Sequence, residues 1–161
     1  MNRFAAAAFA LAAMAALAAM AAMAAYGQGA PAADPHAVAS IKAGDHNCPG
    51  CMLAGADLTN QCVKGGNLTG ADFDHARLVL MCMSFANFTK ATFRGTDLSG
   101  ANLAHADLDD ADLTGARMDA TSVKGTDLRH VIGLTQQQLS EACGDTSTKA
   151  PAGMQVRTCT Y

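Results

Sequence analysis

Large apolar residues recur at every fifth position through the middle of this chain. Stepping from Leu53 gives Leu58, Val63, Leu68, Phe73, Leu78, Met83, Phe88, Phe93, Leu98, Leu103, Leu108, Leu113, Met118, Val123 and Leu128, sixteen centres with no gap or phase slip. Such residues make up about one in four of an ordinary chain, so chance would produce this run on the order of once in a billion. Two residues before each centre the chain is small. Nine of those places hold Ala, five more hold Cys51, Gly66, Thr96, Thr121 and Thr126, and only Gln61 and Met81 are large. The residue just before the centre is often Asp or Asn, as in Ala101-Asn102-Leu103 and Ala106-Asp107-Leu108.

A period of five suits neither regular element. On an α-helix, five steps of about 100° set successive centres about 140° apart, so no face forms. On a continuous strand, odd spacing sends alternate centres to opposite faces. The pattern works when each unit is a short extended piece followed by a turn. The small residue and the centre then point inward and the other three outward. Glycine at the fifth place (Gly55, Gly65, Gly70, Gly95, Gly100, Gly115, Gly125) suits such a turn.

The unit, written A-(D/N)-L-x-x, resembles that of the pentapeptide-repeat family, and the resemblance covers Cys51 to His130, about half of the chain. It implies an all-β solenoid: a right-handed quadrilateral β-helix of about four coils, four units to a coil. Residues twenty apart would then stack at about 4.8 Å, giving a rod roughly 19 Å long. The outward residues support that spacing. Asp57, Arg77, Asp97 and Arg117 form a column of alternating sign, Asp74 falls below Arg94, Asp109 below Arg129, and Asn67 below Asn87 as in an amide ladder. One step conflicts, Asp107 beneath Asp127.

A solenoid leaves an open core and unpaired edges at its ends, so short helical caps are expected at both. The cap over 33–50 begins with Asp34 as N-cap and Pro35 at the first helical position, has Ala37, Val38 and Ile41 as its apolar face, and stops at Gly44. The cap over 131–161 has a Thr135/Gln138 capping box and a Leu134/Leu139 staple. Its helix is expected to reach about Cys143 and stop at Gly144, with an irregular tail from Asp145.

Residues 1–32 read as a signal peptide: Arg3, then an apolar run from Phe4 to Ala25, then small-residue exits at Ala22-Met23-Ala24 and Ala30-Pro31-Ala32. The run is long enough to span a membrane as an uncleaved anchor, but it is mostly Ala and no cationic stop follows. The protein is therefore expected to be periplasmic or secreted, free of the membrane after cleavage. Cleavage takes away Arg3 and leaves 10 basic against 14 acidic residues, net −4. With no basic stripe, no Trp and two Tyr, nucleic acid is not an expected partner.

Six cysteines follow the leader, and export favours disulfide pairing. Cys48-Pro49-Gly50-Cys51 is a C-x-x-C whose positions read as inward-facing places of the first coil. A redox pair, or a metal site with His36 and His46, is the sharper alternative. Cys62 and Cys82 stack twenty apart, beside the intruders Gln61 and Met81, so a bulge or a bend of that wall is expected. Cys143 and Cys159 would close the tail over the last coil. His75, His105 and His130 fall at turns, and the repeated Asp residues are accounted for by bonds to local backbone. No catalytic triad, zinc-helix or phosphate-loop pattern occurs and no cofactor is expected.

In the second coil Val79, Leu80 and Phe85 occupy outward places, an apolar cluster that a terminal segment covers or that binds a periplasmic protein or a second copy as a homodimer. The expected function is thus a non-catalytic, exported structural or protein-binding module. The alternatives are a DNA-mimicking protector of a type II topoisomerase, an activity that the resemblance brings with it, and a cysteine-based metal or redox role.

Overall fold

The computed structural model describes residues 32–159, so the expected leader lies almost wholly outside the described residues. Between Asn47 and Ile132 the chain winds with parallel bridges joining residues twenty apart, in four columns. The first wall carries Asn47, Asn67, Asn87 and Asp107, the second Met52, Asp72, Thr92, Asp112 and Ile132, the third Asp57, Arg77, Asp97 and Arg117, and the fourth Cys62, Cys82, Asn102 and Ser122. Each wall is an extended triplet around one bridged residue, and a two-residue turn makes the corner. The N–H of the third residue after each centre closes that turn, as from Ala56 to the Leu53 carbonyl at 3.0 Å.

All sixteen centres are buried, and the small residues two places before them line the same interior. Phe73 and Phe93, one above the other, stack with centroids 5.1 Å apart, and Phe88 meets both edge-on at 5.9 and 5.4 Å. Where Thr replaces Ala at the small place, its hydroxyl cannot stay unpaired in an apolar core. Thr96, Thr121 and Thr126 donate instead to the carbonyls of Phe73, Leu98 and Leu103 at 2.6, 2.7 and 2.9 Å. Outside, the Asp or Asn before each centre accepts from the backbone two residues on, as Asp57 from Thr59 and Asn87 from Thr89. The amides of Asn67 and Asn87 therefore hold their own turns.

The ends are closed by two short helices. Helix α1, Pro35–Lys42, starts at Asp34, whose carboxylate accepts from His36 N, and sets Ala37 and Ile41 into the core. Helix α2, Gln136–Glu141, has the Thr135/Gln138 capping box. Its Gln138 amide also donates to the carbonyls of Leu113 and Ala116 at 2.8 and 3.0 Å, taking the place of a further strand above the third wall. The helix stops at Glu141, short of the expected Cys143. Ala142 is extended (ψ 166°) and Cys143 pairs with Ser122, so the chain turns back into the fourth wall. Nor is the tail irregular throughout: Lys149 pairs with Asp127 and Gly144 with Thr158.

The charged columns stack as expected but do not all form ion pairs. Arg94 lies 2.9 Å from Asp74 and Arg117 3.6 Å from Asp97. The expected Asp109–Arg129 contact is replaced: Arg129 turns to Asp127 of its own unit at 2.7 Å, and Asp109 meets His130 at 2.7 Å. The reason is local. Among the described residues the first wall has no bridge between Asp107 and Asp127, although the neighbouring fourth-wall and second-wall steps, Asn102 to Ser122 and Asp112 to Ile132, are both bridged. Two carboxylates at strand spacing repel. The wall parts there into an open cleft of about 450 Å³ lined by His105, Asp107, Leu108, Asp109, Asp127 and His130.

Two stability measurements test this account. Phe93→Ala removes one of the three mutually packed rings and should cost about 3–5 kcal/mol in denaturant titration, the usual range for a buried Phe. Asp107→Asn keeps the bond to Asp109 N but removes the like charge. It should stabilise by roughly 0.2–1 kcal/mol near neutral pH, a gain that shrinks in high salt. A destabilised Asp107→Asn would show that charge is not what opens the wall.

Candidate interaction surface

The corners decide which side chains this rod displays. Every fifth residue from 50 to 125 has a positive φ, between +54° and +70°. Eight of these are Gly; the others are Asn60, His75, Leu80, Phe85, Lys90, His105, Asp110 and Ala120. A large side chain at such a corner leans over the same corner of the next coil. His75 lies over Gly95, Leu80 over Gly100 and His105 over Gly125; a Cβ added at Gly100 would sit 2.7 Å from Leu80 Cδ2. Gly100 suits its place twice, by its left-handed φ of +67° and by leaving room for Leu80. Phe85 has no glycine above it and stacks on His105 with centroids 4.9 Å apart, while Lys64 Nζ lies 5.8 Å from the Phe85 ring centre.

The apolar cluster sits on this scaffold. Leu80 and Phe85 are 59 % and 58 % exposed, Val79 is half-buried, and Met81 and Met83 are buried behind them. Of the two segments expected to offer cover, α1 packs Ala37 and Ile41 into the core and the described tail pairs with the fourth and first walls. Leu80 and Phe85 mark the two edges of the fourth wall in the second coil. Between them lie Cys82 and, one coil earlier, Cys62, with Cα atoms 4.4 Å apart. This wall keeps its regular bridges, Cys62 to Cys82 to Asn102 to Ser122, so neither the expected bulge nor a bend occurs. The intruders are absorbed without one: Met81 fills the core and Gln61, half-buried, reaches the Thr59 carbonyl at 3.4 Å.

The other cysteines also lie in pairs. Cys48 and Cys51, with Cα atoms 5.5 Å apart, are half-buried and pack against the core. Cys143 and Cys159 lie 5.3 Å apart between Cα atoms and join the fourth wall to the end of the tail. His36 and His46 do not join the C-x-x-C in a ligand set: among the described residues no group of three or more His, Cys, Asp or Glu side chains is placed to hold a metal ion.

The sequence profile of pentapeptide repeats matches in eight copies, over residues 51–95, 82–119 and 96–132. The chain belongs to the pentapeptide-repeat family. Among solved structures it is similar to the pentapeptide repeat protein Rfr23 of the cyanobacterium Cyanothece 51142, at 20 % identity over 71 % of this chain and 97 % of that one, TM-score 0.31. A pentapeptide repeat protein from the Arabidopsis thaliana thylakoid lumen matches at 21 % identity over 78 % of this chain and 68 % of that one, TM-score 0.26. QnrB1, a plasmid-mediated fluoroquinolone resistance protein, matches at 14 % identity over 69 % and 65 %, TM-score 0.29. No curated protein matches.

Within this pentapeptide-repeat rod, reading along the chain found the apolar cluster but missed its setting. In the fourth wall and its corners, residues 59–65, 79–85 and 99–105 contain no Asp or Glu, and Asp119 is the one acid in the next coil. The other three walls each carry several. The tail was missed for a different reason. Asp145 holds it by accepting from Ser147 N, Thr148 N and Gly125 N at 2.9, 3.0 and 3.2 Å. These bonds, led by the Ser147 hydroxyl, hold the Asp145 carboxyl far below its ordinary value of 3.8. A depressed carboxyl contributes stability that is present above the ordinary value and lost as pH falls. Protection of the Lys149 amide from hydrogen exchange, taken relative to Leu68 in the core, should therefore fall below about pH 4. A ratio constant from about pH 6 to about pH 2 would contradict this role for Asp145.

Proposed function

We propose that this pentapeptide-repeat protein is an exported, non-catalytic protein-binding module whose contact surface is the ridge Val79, Leu80 and Phe85. The observation that carries this is a double cost at one place. Leu80 and Phe85 adopt left-handed φ values of +56° and +61° and are more than half exposed. The left-handed region costs an L-residue roughly 1–2 kcal/mol, and an exposed Leu or Phe forgoes about 1.5–3 kcal/mol of burial. Glycine, which carries neither cost, occupies the same corners at Gly65, Gly100 and Gly125. The contacts of Leu80 with Gly100 and of Phe85 with His105 and Lys64 leave both side chains more than half exposed, and association with another protein would bury them.

The rest of the molecule fits a scaffold. The family consists in general of structural or binding modules, and a right-handed winding of about four coils suits that role. Export is supported by the signal-like start and by six cysteines lying in three pairs. DNA mimicry is less well supported, because Asp57, Arg77, Asp97 and Arg117 alternate in sign along the third wall.

Phe85→Gly and Leu80→Gly separate binding from stability. Each should leave the Tm unchanged or raise it by a few degrees, since it relieves a strained corner. Each should also weaken self-association in sedimentation, or capture of a periplasmic partner, by about tenfold or more. Unchanged association in both variants would remove the ridge as the contact surface.

A further inference from the structure

We propose that Cys62 and Cys82 form a thiol–disulfide exchange site on the fourth wall, which captures a reduced cysteine flanked by apolar residues in another polypeptide. The choice of polypeptide rests on the reading of the Leu80–Phe85 ridge as a binding surface. Three observations lead to the site.

The first is exposure. Cys62 alone of the six cysteines is an exposed residue; Cys48, Cys51, Cys82 and Cys159 are half-buried and Cys143 is buried. An incoming thiol reaches a sulfur only where solvent does.

The second is that the fold does not depend on this bond. The strands it joins are already tied by Val63 N to the Cys82 carbonyl at 2.8 Å and by Cys82 N to the Gln61 carbonyl at 2.9 Å. Val63 and Met83 are buried beneath them. Opening the bond therefore leaves the coil in register. By contrast, the Cys143–Cys159 pair ties the end of a tail that has few bridges of its own.

The third is the setting. Cys82 lies between Leu80 at one corner and Phe85 at the other, and Cys62 one coil earlier between Asn60 and Gly65, on a wall whose residues 59–65, 79–85 and 99–105 include no carboxylate. Lys64 stands at the Phe85 corner. The attacking species in exchange is a thiolate, which a row of Asp side chains would repel and a neighbouring ammonium attracts. The apolar corners match apolar side chains beside the incoming cysteine.

The step is balanced without an oxidant. The partner thiolate attacks Cys62 Sγ, and a partner–Cys62 disulfide forms as the Cys62–Cys82 bond breaks. The electron pair leaves on Cys82 Sγ, which takes a proton from water. One disulfide is made and one is lost. Cys82 stays on the adjacent strand, its Cα 4.4 Å from that of Cys62. Its thiolate can attack the mixed disulfide, close the original bond and release the partner, so capture is reversible.

The test uses the oxidised, exported full chain with three thiols: glutathione, a short peptide with Cys between two Leu, and the same peptide with Cys between two Asp. Acid quenching and mass mapping locate the adducts. Cys62 should carry the adduct, about tenfold or more in excess over Cys48, Cys51, Cys143 and Cys159. The Leu-flanked peptide should react fastest, and a Leu80→Gly/Phe85→Gly double variant should slow it to the rate of glutathione. Adducts spread evenly over the three pairs, or absent from Cys62, would overturn the exchange site even if the ridge binds protein. An adduct on Cys62 that forms equally fast with every thiol and in the double variant would overturn the assignment of an apolar partner and count against the ridge itself.

Discussion

An extended wall of three residues offers one bridged position to the coil above and one to the coil below. Such a strand is too short to hold itself in place, and its large inward residue supplies what the ladder lacks. Sixteen buried centres, with a small residue two places before each, let neighbouring walls close on a filled interior while successive coils stay at hydrogen-bonding distance. Every other feature depends on that inward stacking. Corners must turn after each centre, the Asp or Asn before it must hold the turn, and the two ends must be covered by α1 and α2.

Because the core is filled and the walls are narrow, binding chemistry is left to the outside, and above all to the corners. There the backbone is already left-handed, so glycine is the undemanding occupant. A bulky residue at a corner projects clear of the wall and leans toward the next coil, as His75, Leu80 and His105 do over their glycines. The same geometry that makes Leu80 and Phe85 costly to the fold makes them prominent to a partner. It also places Cys82 between two apolar corners, with Cys62 one coil earlier, on a wall whose residues 59–65, 79–85 and 99–105 include no Asp or Glu.

The opened step of the first wall falls where Asp107 and Asp127 would stack. The backbone is continuous and the core residues below it, Leu108 and Leu128, stay buried, yet the bridge is lost where two carboxylates would stack. Asp127 turns instead to Arg129 and to Lys149 of the tail, at 2.7 and 3.3 Å. The core therefore keeps the path of the chain even where one bridge is missing.

The five-residue rhythm determined the walls, the centres, the small inward places and the twenty-residue columns, because each unit repeats the same local choice and a repeat can be read without knowing any distant contact. Both helix starts were legible for the same reason: Asp34-Pro35 and Thr135/Gln138 act within one turn. Tertiary structure decided what depends on neighbours from far along the chain. The end of α2 was settled by Cys143 joining Ser122, the course of the tail by Asp145 meeting Gly125, and the partner of Arg129 by the parting of the first wall. The exposure of Cys62 and the seating of Leu80 on Gly100 belong to the same class. A sequence shows which residues share a column, but how far a side chain leans along it depends on the space left by the coil above.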